Sequence, residues 1–125
     1  MKIAVTAGSP ELEAEVDPRF GRCRHFIIID PETMQFEALE STGPSAASGA
    51  GISTAQMIIG KGVGAVLTGN CGPNAYQALS AAGIKVITGV SGKIAAAVKD
   101  YQAGEFKAAD QPNVDAHSGM NTKTD

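Results

Sequence analysis

The residues best suited to chemistry crowd into one short string. All three arginines of the chain, Arg19, Arg22 and Arg24, fall within six residues, interleaved with Phe20, Gly21 and Cys23 and followed by His25. The remaining positive charge is lysine scattered along the sequence. A guanidinium is a planar five-donor fork matched to oxyanions, so three of them beside a thiol point to an anion or metal-sulfur site. Gly21 would let backbone approach such a ligand. Cys23 is a soft donor suited to copper(I) or an iron-sulfur cluster, and the guanidiniums are expected to lower its pKa and favour the thiolate. The plainer reading makes Phe20 a core plug, Cys23 a small buried hydrophobe and the arginines a solvated rim.

Two further segments carry chemistry. Asn70-Cys71-Gly72-Pro73-Asn74 lies where a strand turns into a helix, a place where free N–H groups and the helix dipole attract anions, and Cys71 is a second soft donor. A plain helix start reads the same way. Gly49-Ala50-Gly51 is neither a Walker loop nor GxGxxG. Its small residues suit either close approach of a bulky ligand or a flexible helix start. His25 reads as a strand residue filling a pocket, and His117, beside Asp115, as a tail residue.

The elements that must position these residues follow from periodicity. Lys2 to Ala7 is an apolar strand, followed by a polar loop from Gly8 to about Arg22. His25 to Asp30 and Gln35 to Glu40 pair as a hairpin through the turn at Pro31-Glu32-Thr33-Met34. After a small-residue loop from Gly43 to Ser48, Gly49 to Ile59 is a helix and Gly64 to Thr68 a buried strand. Pro73 to Ala82 is a helix with proline in its first turn, Ile84 to Ile87 a strand, and Ser91 caps a last helix running to about Ala103. Pairing from near Cys23 would put Cys23 and His25 on one face and Arg24 with Phe26 on the other, separating Arg24 from Arg19 and Arg22. The order β-β-β-α-β-α-β-α predicts a three-layer α/β domain with a five-stranded mixed sheet. Ligands of such sheets sit beyond the carboxyl ends of the parallel strands, where the arginine loop, the loop before the first helix and the Asn70 turn are expected to converge.

Composition limits the choices. At 125 residues, 43% hydrophobic, with a net charge of -3, the chain reads as one soluble domain over residues 1–107 with a polar, disordered tail over 108–125. An acidic protein of this kind is not expected to bind nucleic acid through its backbone. The N-terminus is too short in apolar residues for a signal peptide and no run is long enough to span a bilayer, so no membrane contact and a cytoplasmic location are expected. Cys23 and Cys71 form no CxxC, and both are expected as free thiols. Glu11, Glu13, Glu15 and Asp17 alternate along the loop as solvated charge.

Four blocks in one order, Asp17-Pro18-Arg19-Phe20-Gly21-Arg22-Cys23, Gly49-Ala50-Gly51-Ile52, Thr68-Gly69-Asn70-Cys71-Gly72-Pro73-Asn74-Ala75 and Ala81-Ala82-Gly83-Ile84-Lys85-Val86, closely resemble the dinitrogenase iron-molybdenum cofactor biosynthesis family. That family includes NifX-like proteins, the C-terminal domain of NifB-like proteins and the orange protein of sulphate reducers, the branch the chain resembles in particular. The resemblance implies a ribonuclease-H-like fold and a role in binding or carrying metal-sulfur clusters, a molybdenum-copper sulfide or an iron-molybdenum-sulfur species. It also implies cluster-biosynthesis or ATPase partner proteins. Where relatives often carry histidine before Gly-Ala-Gly, this chain has Ser48.

No catalytic constellation emerges. Ribonuclease-H-like enzymes place an acid on the first strand, which here reads Ile3-Ala4-Val5-Thr6-Ala7, and there is no nucleophile elbow. The leading expectation is therefore a non-catalytic carrier of an anionic metal-sulfur cluster, a monomer or weak dimer. Its site would comprise Arg19, Phe20, Gly21, Arg22, Cys23, Arg24, Gly49, Ala50, Gly51 and Asn70, Cys71, Gly72, Pro73, Asn74, with Cys23 and Cys71 as metal ligands. The alternative is a metal-free regulatory module recognising an acidic protein or a phosphorylated small molecule. A third, thiol-redox reading requires the two cysteines to approach within disulfide distance.

Overall fold

The computed structural model describes residues 2–40 and 50–106. Its centre is Ile3–Ala7 (β1), buried at every residue because strands flank it on both sides and apolar layers cover both faces. This explains why the segment reads as a continuous apolar run rather than an alternating one. His25–Ile29 (β2) pairs antiparallel with β1, with Ile3 opposite Ile29 and Ala7 opposite His25. Phe36–Glu40 (β3) pairs antiparallel with β2 and forms one edge. Ala65–Leu67 (β4) lies parallel to β1, and Lys85–Ile87 (β5) parallel to β4, giving the order β3-β2-β1-β4-β5. With the helices Ala50–Ile59 (α1), Pro73–Ala81 (α2) and Ile94–Gln102 (α3), the expected α/β fold with a five-stranded mixed sheet and three helices is what the chain adopts.

Strand alternation sorts the core into two layers. On one side Ala4, Phe26, Ile28, Val66 and Val86 meet Ala55 and Ile58 of α1 and Ala75 and Leu79 of α2. On the other, Ile3, Val5, Ile27, Ile29, Leu67 and Ile87 meet Ile94, Ala97 and Val98 of α3. The helices therefore cover both faces, and the carboxyl ends of β1, β4 and β5 open onto one rim.

Two local expectations are corrected. Ser91 does not cap the last helix: α3 begins at Ile94, and Lys93 occupies the cap position without a side-chain bond. Gly92, at φ 86, redirects the chain after Ser91. The amides of Ile94 and Ala95 donate instead to the carbonyls of Ala14 and Leu12, at 2.9 and 3.2 Å, so the long loop satisfies the donors expected to need a hydroxyl. Cys23 does not share a face with His25 either. Pairing starts at His25, after a 3-10 turn at Phe20–Arg22, and Cys23 packs in the same layer as Phe26. The loop at 43–48, with Gly49 and Ser48, and the tail at 108–125 lie outside the described residues.

Candidate anion-binding site

The site is assembled by a loop that is long in sequence but well tied down. Leaving β1, residues 8–15 fold back so that Gly8 N–H donates to Glu15 at 3.2 Å, and Val16 bridges Ala7 while donating to Gly92 at 2.9 Å. Asp17 N–H then donates to the Thr6 carbonyl at 2.9 Å, and the Thr6 hydroxyl donates to the Asp17 carbonyl at 2.6 Å. Thr6 is fully buried and its hydroxyl also bonds that of Thr68, at 3.0 Å, across the ends of β1 and β4. Since Thr6 has one proton and spends it on Asp17, Thr68 supplies the proton between them.

Beyond Asp17 the segment is fastened to the Asn70 turn. Arg19 and Asn70 form a parallel bridge, and Phe20 N–H donates to the Asn70 carbonyl at 3.2 Å. Gly69 permits the approach: a Cβ there would fall 2.7 Å from the Pro18 Cα. Thr68 and Gly69 in turn receive the amides of Val90 and Gly89, at 3.1 and 2.8 Å, so the loop after β5 completes the rim. Phe20 is the anchor, 2% exposed, its ring edge-on to Phe26 at 5.5 Å and 67°. Phe20 is thus a residue of the core, and its expected contact with a ligand is not what its burial shows. Burying an aromatic on that scale holds the turn down, and the 3-10 turn packs against α1, the helix that Ala50 and Gly51 open.

The arginines differ in their setting. Arg19 projects from this frame with its side chain 63% exposed, its Nε 3.5 Å from Asp17 Oδ1. The same oxygen accepts the Arg19 amide at 2.9 Å. Asp17 is thus not the solvated charge it was expected to be: its carboxylate is 12% exposed and turned onto Arg19. Arg24 is exposed just before β2. Arg22 lies in the 3-10 turn, and its side chain is outside the described set.

The thiols reverse an expectation. Cys23 and Cys71 are buried thiols, 0% and 1% exposed, within one apolar layer. Burial, reinforced by the Asp17 carboxylate, pushes the Cys23 thiol up to about 12, against smaller lowering effects from backbone N–H groups and Arg19. Burial alone pushes Cys71 up to about 12. The guanidiniums do not generate a thiolate because removal of water outweighs them. Cys23 instead donates to the Phe20 carbonyl at 3.4 Å, and Cys71 to that of Gly72 at 3.8 Å. Among the described residues, no group of three or more His, Cys, Asp and Glu side chains converges to hold a metal ion.

The Asn70 turn leads into α2, with Gly72 at the N-cap, lacking a side-chain cap bond, and Pro73 in the first turn. Asn70, Gly72 and Pro73 are half-buried and Asn74 is exposed. Residues 1–104 match the family model described as dinitrogenase iron-molybdenum cofactor. The chain belongs to that family. Over 90% of its length it is similar to the apo form of the orange protein from Desulfovibrio gigas, at 43% identity and a TM-score of 0.86, covering 95% of that chain. It is also similar to a putative NifB protein from Thermotoga, at 32% identity and a TM-score of 0.74, covering 86% of this chain and 91% of that one. An uncharacterized protein of Methanocaldococcus jannaschii is 31% identical over 110 residues, 86% of this chain and 90% of its own.

Membership in the dinitrogenase iron-molybdenum cofactor family links the chain to cofactor-related or metal-cluster-binding roles. In this family member the arginine segment and the Asn70 turn do meet, while the loop before α1 is outside the described residues. Asp17, Thr6 and Thr68 were missed as parts of the site. Thr6 and Thr68 gave a signal, hydroxyls at the ends of two otherwise apolar strands, but Asp17 looked like one more acid in an alternating row. No helix among the described residues is long and apolar enough to cross a membrane.

Proposed function

We propose that this member of the dinitrogenase iron-molybdenum cofactor family is a non-catalytic carrier whose cargo is an anionic, molybdenum-containing metal-sulfur cluster. The cargo sits on the rim between residues 17–24 and 69–74. It is held by charge and N–H donors, from Arg19, Arg22, Arg24 and the backbone at the start of α2, with the two protonated thiols beneath it. The donor set fits such a species: large anionic sulfides need diffuse positive charge and hydrogen-bond donors more than they need another thiolate. The ribonuclease-H-like frame serves as a rigid support, without the first-strand acid that metal-assisted hydrolysis uses.

The observation that carries this reading is the bridge between Arg19 and Asn70, which joins the chain's arginine segment to a helix-initiating turn. Reconstitution with tetrathiomolybdate and copper(I), followed by gel filtration, visible absorption and metal analysis, tests it. A sulfide-to-metal chromophore with stoichiometric molybdenum is expected. A colourless, metal-free protein that binds inorganic phosphate instead would favour the metal-free regulatory alternative.

A further inference from the structure

Arg19 is already engaged by an anion that belongs to the protein. We infer that Asp17 is an intramolecular competitor for Arg19 and sets the affinity of the site, an inference that rests on Arg19 being a donor to the anionic cargo.

Of the two partners, Arg19 is the one that can move. Asp17 is fixed at three places: its N–H on the Thr6 carbonyl at 2.9 Å, its carbonyl on the Thr6 hydroxyl at 2.6 Å, and its carboxylate on the Arg19 amide at 2.9 Å. Thr6 is itself fixed by Thr68 at 3.0 Å, in a fully buried pair spanning β1 and β4. The carboxylate is therefore a stationary negative charge, 12% exposed. The Arg19 side chain is 63% exposed and meets it through Nε at 3.5 Å, too long for a strong charge-assisted hydrogen bond. An ion pair of that exposure costs little to break. Among the described residues no other carboxylate pairs with Arg19.

An arriving anion therefore has to share Arg19 with Asp17 or draw it off a carboxylate that cannot withdraw. An exposed pair of this kind is worth roughly severalfold in affinity. The competition weakens retention, which suits a site that must give its cargo up.

Titration of the full chain with tetrathiomolybdate, by absorbance and calorimetry, tests this with Asp17→Asn, Asp17→Ser, Arg19→Ala and the Asp17→Asn/Arg19→Ala double variant. Asn and Ser keep an oxygen for the Arg19 amide, so the turn is retained, and thermal melting monitors folding. Asp17→Asn and Asp17→Ser are expected to tighten binding severalfold, with the gain absent from the double variant. Weaker or unchanged binding in the Asp17 variants overturns the inference, because Asp17 would then orient Arg19 or act on nothing. So does a gain that persists without Arg19. If Arg19→Ala alone binds as the wild type does, it is the proposed role of Arg19 that fails.

Discussion

Cys23 and Cys71 separate two accounts of a cluster protein. The arginines beside Cys23 are expected to favour a thiolate; burial instead pushes both groups up to about 12. The folded state then holds these protons more tightly than the unfolded chain, where a thiol has its ordinary value of 9.0. The stability so gained is complete below pH 9 and is lost as pH rises toward 12. A thiol reagent at about pH 8 should react with native protein far more slowly than with denatured protein. Denaturant midpoints should fall above pH 9, with the fall reduced in Cys23→Ala and Cys71→Ala; rapid native labelling would contradict the burial argument. Thr54 supplies a second residue-level test. Its hydroxyl is buried in α1 without a hydrogen-bond partner among the described residues, so Thr54→Val should raise stability by about 1 kcal/mol in urea denaturation. A loss of stability would indicate that the hydroxyl is satisfied in solution.

Elements were legible wherever a pattern had one physical cause. Ile3–Ala7 and Phe26 to Ile29 announce buried strands, Pro73 a helix start and the Gly60-Lys61-Gly62 run a helix stop, because burial and backbone geometry allow little else. What sequence could not reveal depends on contacts between distant segments. Ser91 has the chemistry of a cap but is displaced by carbonyls from Leu12 and Ala14. Asp17 resembles Glu11, Glu13 and Glu15 until Thr6 and Arg19 are seen around it. The register of Cys23 was misjudged because the 3-10 turn delays pairing to His25. The join between the arginine segment and the Asn70 turn is likewise a tertiary fact, and Gly69 tests it. Gly69→Ala brings a methyl onto the Pro18 Cα, so it should cost about 1–3 kcal/mol and push residues 18–20 off the turn, weakening tetrathiomolybdate binding at temperatures where the variant is folded. Unchanged binding with full stability would mean that the join is dispensable.

Across the whole molecule, the sheet is a frame that carries the candidate site on one rim. β1, β4 and β5 run parallel and end together, and the loops that leave them are stitched by backbone hydrogen bonds at Asn70, Thr68 and Gly69. Both faces are closed by helices, leaving that rim as the place where exposed arginine and a helix start meet. The proposed function rests on charge at this rim, and not thiolate ligation within the core, retaining the cargo. Its most direct test is the molybdenum bound per chain after reconstitution with tetrathiomolybdate and copper(I) and gel filtration, comparing wild type with Arg19→Ala. Stoichiometric molybdenum in the wild type and a severalfold loss in a folded Arg19→Ala are expected; equal retention in both, or no retention in either, would contradict the proposed function.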